Sequence, residues 1–170
     1  MIVAGVMSGT SADGINVALV RIAAGARQAA SAASSSKMRS ALQWHRPVLN
    51  LLKRQPRDDG LHIKLLGHAE SPYPKDVRNA VLSAMNSTHA EVADLARLNF
   101  LLGELYADSV ISAQRKLRVK AELVGCHGQT LYHQGEAEEF LRHKLAVTWQ
   151  TGEGAVVAAR VGVAVVSDFR

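Results

Sequence analysis

Two apolar runs divided by a polar hinge open the chain. Ile2 to Met7 is short and continuously apolar, which predicts a buried strand. In the second run Ile15, Val17 and Leu19 alternate with Asn16 and Ala18, which predicts a strand with one face toward a core. The short link between them favours antiparallel neighbours. "LHIKLLGHAESPYP" resumes strand character and ends at Pro72 and Pro74. The period then changes. Val77, Val81 and Met85 stand four apart, as on one face of an amphipathic helix. Val92, Leu95, Ala96, Leu98, Leu102, Leu105 and Val110 form the apolar stripe of a second, long helix, opened by Ser87 or by a Thr88–Glu91 capping box. "AELVGCHGQT" reads as a strand running into a glycine-rich turn, and "HKLAVTWQTG" as another strand. "EGAVVAARVG" reads as a short helix closed by Gly162, and "VAVVSDF" as a last buried strand. The order predicts an α/β fold: a mixed sheet with antiparallel N-terminal strands, later parallel crossovers and flanking helices.

Composition narrows the classes. An apolar share of 48% over 170 residues supports a real core. No apolar run is long enough to suggest a membrane span, and the first residues lack a secretory pattern. Cys126, the single cysteine, cannot form an internal disulfide, so the expected compartment is the cytoplasm. The net charge of +5 is local. Residues 24 to 60 hold seven basic and two acidic side chains, while the remainder has 13 of each. This Ala- and Ser-rich, basic segment reads as a flexible insertion. Its lone aromatic, Trp44, offers little for base stacking, so nucleic acid is not an expected partner.

Four polar stretches fall at predicted strand ends or turns. "SGTSADG" offers clustered backbone N–H groups near Gly9 and Gly14 and the hydroxyls of Ser8, Thr10 and Ser11. Small residues let a backbone approach a phosphate, and Asp13 could reach a magnesium ion directly or through water. The same residues also suit an ordinary hairpin turn, and spacing alone leaves both readings open. No Walker-type pattern is present. "GCHGQTLYH" places His127 and Gln129 beyond a strand, better suited to hydrogen bonding than to a metal, because no third ligand joins His127 and His133. Cys126 and His127 are adjacent on a strand, so they point to opposite faces and do not pair; the thiol reads as a core residue. Gln150, Thr151, Gly152 and Glu153 stand at a strand-to-helix junction, where a helix N-terminus can hold an anion or simply favour Glu153. Asp168 and Arg170 follow the last strand. Four such clusters suggest a shared cleft.

Taken together, "MSGTSADGIN", "SPYPKDVRNAV", "GCHGQTLYH" and "TWQTGEGAVVAARVGVAVVSDFR" resemble the anhydro-N-acetylmuramic acid kinase family. The resemblance covers most of the chain outside residues 24 to 60. It implies an actin-like ATPase fold with two ribonuclease-H-like lobes and ATP between them, the present chain being the N-terminal lobe. It implies a kinase that uses ATP, Mg2+ and water to open 1,6-anhydro-N-acetylmuramate and phosphorylate O6, giving N-acetylmuramate 6-phosphate in peptidoglycan recycling. The family's ATP loop falls on Gly9, Thr10, Ser11, Ala12, Asp13, Gly14, Ile15 and Asn16, with Asp13 toward the metal. His127, Gln129, Gln150, Asp168 and Arg170 are the expected sugar-facing residues. Asn16 stands where the family usually has an acid, which weakens the metal side. The resemblance places the catalytic base in the second lobe, beyond Arg170, so this chain alone is expected to be inactive. The alternatives are a non-catalytic phosphate-binding lobe and an interaction module. An exposed lobe interface makes a homodimer an additional expectation.

Overall fold

The computed structural model describes residues 1–24, 60–85 and 87–169. The 24–60 segment therefore lies almost wholly outside the described residues, as does Arg170. Met1–Ile22 and Ile63–Arg170 form one compact unit; of a second, Ala23–His62, only residues 23, 24 and 60–62 are described.

The elements are β1 (Ile2–Ser8), β2 (Gly14–Ala24), β3 (Leu61–Pro72), α1 (Lys75–Ala84), α2 (Val92–Leu117), β4 (Leu123–Phe140), β5 (His143–Thr151), α3 (Gly154–Val161) and β6 (Ala164–Ser167). The strands order β3-β2-β1-β4-β5, and β6 pairs with β4. β1 and β2 are antiparallel, as the short hinge predicts, with Ser8 opposite Ile15. β4 runs parallel to both β1 and β6. The expectation of a mixed sheet holds, with one addition: β5 returns antiparallel along the far half of β4.

The alternating pattern sorts β1, β2 and the first half of β4 as the sequence suggests, whereas β6, expected to be buried, is mostly exposed. Ala4 and Val6 of β1, Ile15, Val17 and Leu19 of β2, and Val124 and Cys126 of β4 are buried together. Against them α2 lays Leu98, Leu102, Tyr106, Val110 and Ala113, and α1 lays Val77 and Val81. Burying one such large side chain stabilises the fold by roughly 1.5–3 kcal/mol.

Three local expectations are corrected. α2 starts at Val92 with Glu91 as N-cap and no side-chain cap; Ser87 Oγ instead donates to His89 O. Hence the first turn projects from the core: Val92 is 80% exposed and Ala96 is exposed as well. "GCHGQT" is not a turn. β4 continues through it, and the register jumps from Val6–Cys126 to Met7–Gly128, leaving His127 as an extra residue. Gly128, at φ 77°, accommodates this bulge, a device that re-aims a side chain within a strand. α3 does end on Gly162, whose φ is 79°.

Candidate functional site

The hinge between β1 and β2 is anchored at several points. Ala12 N–H donates to Gly9 O at 3.0 Å and closes a turn. Gln129 Nε2 donates to the same carbonyl at 3.2 Å. Arg78, on α1, donates to Ser11 O at 3.4 Å and to Asp13 Oδ1 at 3.3 Å. Tyr73 N–H donates to Asp13 O at 3.3 Å. Ala12 is fully buried with φ 50°, so the loop is turned by a left-handed residue whose methyl plugs the core. Gly14 is required by a close approach: a Cβ there would stand 2.5 Å from Ser71 O. With its root and flank held, the loop leaves Thr10, Ser11 and Asp13 exposed.

Not every residue expected in this loop faces a ligand. Ile15 is a core side chain, 2% exposed. Asn16 lies one strand position further, where its Oδ1 accepts from His68 Nε2–H at 2.9 Å. Asp13 is exposed and paired with Arg78, and among the described residues no three His, Cys, Asp or Glu side chains cluster as a metal cage. The donor set suits a phosphate-bound Mg2+ that keeps its waters, with Asp13 as the protein's carboxylate.

A second place lies where β4, β5 and β6 end against α2 and α3. His127, Gln150 and Asp168 line a cleft of about 150 Å³ with Asn99, Gly152 and Gly154. His127 is half-buried, donates from Nδ1 to Gly128 O at 3.1 Å and meets the Phe169 ring edge-on at 6.4 Å. Gln150 Nε2 donates to Thr148 Oγ1 at 2.5 Å. Asp168 is exposed, with φ 54°. Glu153 caps α3, its Oε1 accepting from Ala155 N–H at 3.1 Å. None of residues 9–16 lines this cleft. Gln129 is likewise outside it, buried beneath the loop.

Side chains that the sequence did not single out connect the two places. Asn99, in the middle of α2, accepts at Oδ1 from Gly152 N–H at 2.7 Å and Thr151 Oγ1–H at 2.8 Å. Its Nδ2 donates to Glu153 Oε2 at 3.0 Å. Tyr106 occupies the space where a Cβ on Gly152 would sit, 2.3 Å from its Cε2, and its hydroxyl meets Tyr73 OH at 3.2 Å. Asp13, Tyr73, Tyr106 and Gly152 thus form one contiguous line of contacts. Burial raises both phenol pKa values, Tyr106 well above the usual range, so the pair stays neutral. The Ser8 hydroxyl is close enough to Tyr73 to oppose that rise but makes no regular hydrogen bond. Burial also pushes the Cys126 thiol up to about 11, which makes it a poor nucleophile.

Comparison with known proteins places the chain in a family. The family model described as anhydro-N-acetylmuramic acid kinase matches residues 56–170. The chain belongs to that family. Proteins named anhydro-N-acetylmuramic acid kinase align along essentially all of it. The one from Caldanaerobacter subterraneus subsp. tengcongensis is 31% identical over 172 residues, covering 99% of this chain and 35% of the relative. The one from Bacillus cereus is 32% identical over 173 residues, covering 100% and 36%. The one from Acaryochloris marina is 31% identical over 170 residues, covering 100% and 35%. The chain therefore spans about a third of the length of these kinases. The hinge loop precedes the part matched by the family model but falls within the span of these relatives.

Proposed function

We propose that this chain is the nucleotide-phosphate lobe of a kinase that takes 1,6-anhydro-N-acetylmuramate. In this reading the fold is an actin-like ATPase lobe, and the reaction uses ATP and water to open the anhydro ring and phosphorylate O6. The observation that carries it is the anchored loop between β1 and β2. Its carbonyls at Gly9, Ser11 and Asp13 are drawn onto protein donors, while Thr10, Ser11 and Asp13 stay exposed at its outer side. A trans peptide whose carbonyl is held by the protein carries its N–H on the opposite side, so the anchored Gly9 and Asp13 carbonyls leave the Thr10 and Gly14 N–H groups turned away from those donors, a disposition that suits anion recognition. Catalysis of phosphoryl transfer rests on positioning and charge stabilisation, and a pre-held loop supplies both. Asp13 would bind magnesium-held water beside the phosphates, with Arg78 setting its orientation.

The cleft at His127, Gln150 and Asp168 is the sugar-facing side of the same reading. Arg170 belongs to that assignment from the sequence but lies outside the described residues. The family resemblance puts the water-activating base in the second lobe, so in this reading the chain by itself binds nucleotide without turning it over. Calorimetry with Mg2+ and ATP on the 170-residue chain tests the reading: saturable heat is expected, weakened in Asp13→Ala. Absence of any binding would sink the phosphate-loop assignment. Normal phosphorylation of the anhydro sugar by this chain alone would overturn the claim that it lacks the water-activating group.

A further inference from the structure

Gln129 is fully buried, yet its amide is only half used. Nε2 donates to Gly9 O at 3.2 Å and to Thr130 O at 3.3 Å, while Oε1 has no partner among the described residues. Ser8 Oγ, also buried, has none either. Met7 pairs with Gly128 across the parallel strands, so Ser8 and Gln129 are the next residue along on each side. Methionine or leucine would fill this space without leaving a carbonyl oxygen unpaired, so packing does not account for an amide here. What the amide does that a hydrocarbon cannot is hold the Gly9 carbonyl. That carbonyl also accepts from Ala12 N–H, so two donors fix one peptide plane. A trans peptide is planar, and its N–H points opposite to its C=O. Drawing Gly9 C=O inward onto a buried side chain therefore turns Thr10 N–H outward.

We propose that Gln129 is the positioning residue of the loop, acting through Gly9 to aim the Thr10 N–H at a bound phosphate. The proposal rests on the phosphate-loop reading, and its experiment separates the two. Gln129→Met keeps the volume and removes the donor; Gln129→Leu is a second variant should the first fold poorly. Both are expected to unfold at the same or a higher temperature than the unsubstituted chain, while Mg-ATP affinity falls by about fivefold or more. In amide NMR spectra the Thr10 resonance is expected to move. Affinity unchanged, or lost only in step with melting temperature while Thr10 stays in place, overturns the proposal. If the unsubstituted chain binds no Mg-ATP, the phosphate reading fails, and the Thr10 resonance alone decides whether Gln129 orients the loop: an unmoved signal refutes it.

Discussion

At the scale of single residues, the line from loop to cleft is held by contacts that tolerate no added atom. Gly152 sits at φ 128° with the Tyr106 ring where a side chain would be. Gly152→Ala must either displace Tyr106, which is fully buried, or reshape the junction. The expected loss is about 2–4 kcal/mol of folding stability, measurable by urea unfolding. A loss below 0.5 kcal/mol would mean that Tyr106 yields freely and is no rigid link. The residues of this line show what the sequence does and does not reveal. "SGTSADG" is legible because glycines and hydroxyls cluster in seven positions between two clear strands. Gln129 is expected to face the sugar because its neighbours are polar; the bulge at His127 and the parallel register with β1 bury it under the loop. Tyr73 and Arg78 lie in the quoted "SPYPKDVRNAV" but nothing local gives their roles, and Asn99 and Tyr106 leave no local signal. Each acts on a residue at least 33 positions away, a distance that only the folded chain closes.

At the scale of elements, the periodicities find nearly every strand and helix, β5 included, but they miss how far β4 reaches. Beyond Thr130 the two strands pair, among the described residues, only with each other, and most of their residues are exposed. Gly135–Phe140 is glycine, alanine and acid up to its last residue and His143–Val147 mixes basic and apolar side chains with no buried face, so no burial pattern could mark where the sheet ends and the ribbon begins. A two-stranded ribbon is marginal in water, and its turn matters accordingly. The turn is Leu141-Arg142, with φ of 49° and 69°. Two positive φ values are what a tight two-residue hairpin turn of the primed kind demands, and Asn-Gly meets that demand at far lower steric cost than Leu-Arg. The double substitution Leu141→Asn with Arg142→Gly is expected to slow amide exchange in residues 136–147 by about fivefold or more, and to leave the exchange of β1 and α2 unchanged. Exchange that accelerates in the ribbon would show that the Leu141 and Arg142 side chains, not backbone strain, decide its stability.

For the whole molecule, the buried titratable groups set an alkaline limit. Cys126, Tyr73 and Tyr106 all lie in the one core cluster, and burial raises the pKa of all three. For Cys126 the rise is from about 9 to about 11. Each group is neutral when protonated, so a raised pKa means that the folded state keeps a proton which the unfolded chain releases. Between pH 9 and 11 the unfolded chain therefore binds fewer protons than the folded one, and stability falls as pH rises. Below pH 9 both states hold the thiol proton and the contribution is fully present. The thiol accounts for at most about 2–3 kcal/mol of this loss, and the phenols extend it to higher pH. Urea midpoints are thus expected to be level to about pH 8.5 and to decline steeply above it. Cys126→Ala lowers the neutral value through lost packing, by about 1 kcal/mol, but flattens the decline between pH 9 and 11 and leaves the tyrosine part in place. The slope, not the absolute midpoint, is the readout, because packing shifts the whole curve and proton linkage changes its shape. A variant with the parent's slope would place the alkaline loss elsewhere, in the phenol pair that joins the loop to the cleft. In that case the same pH range should also separate the two places, with Mg-ATP affinity declining alongside stability.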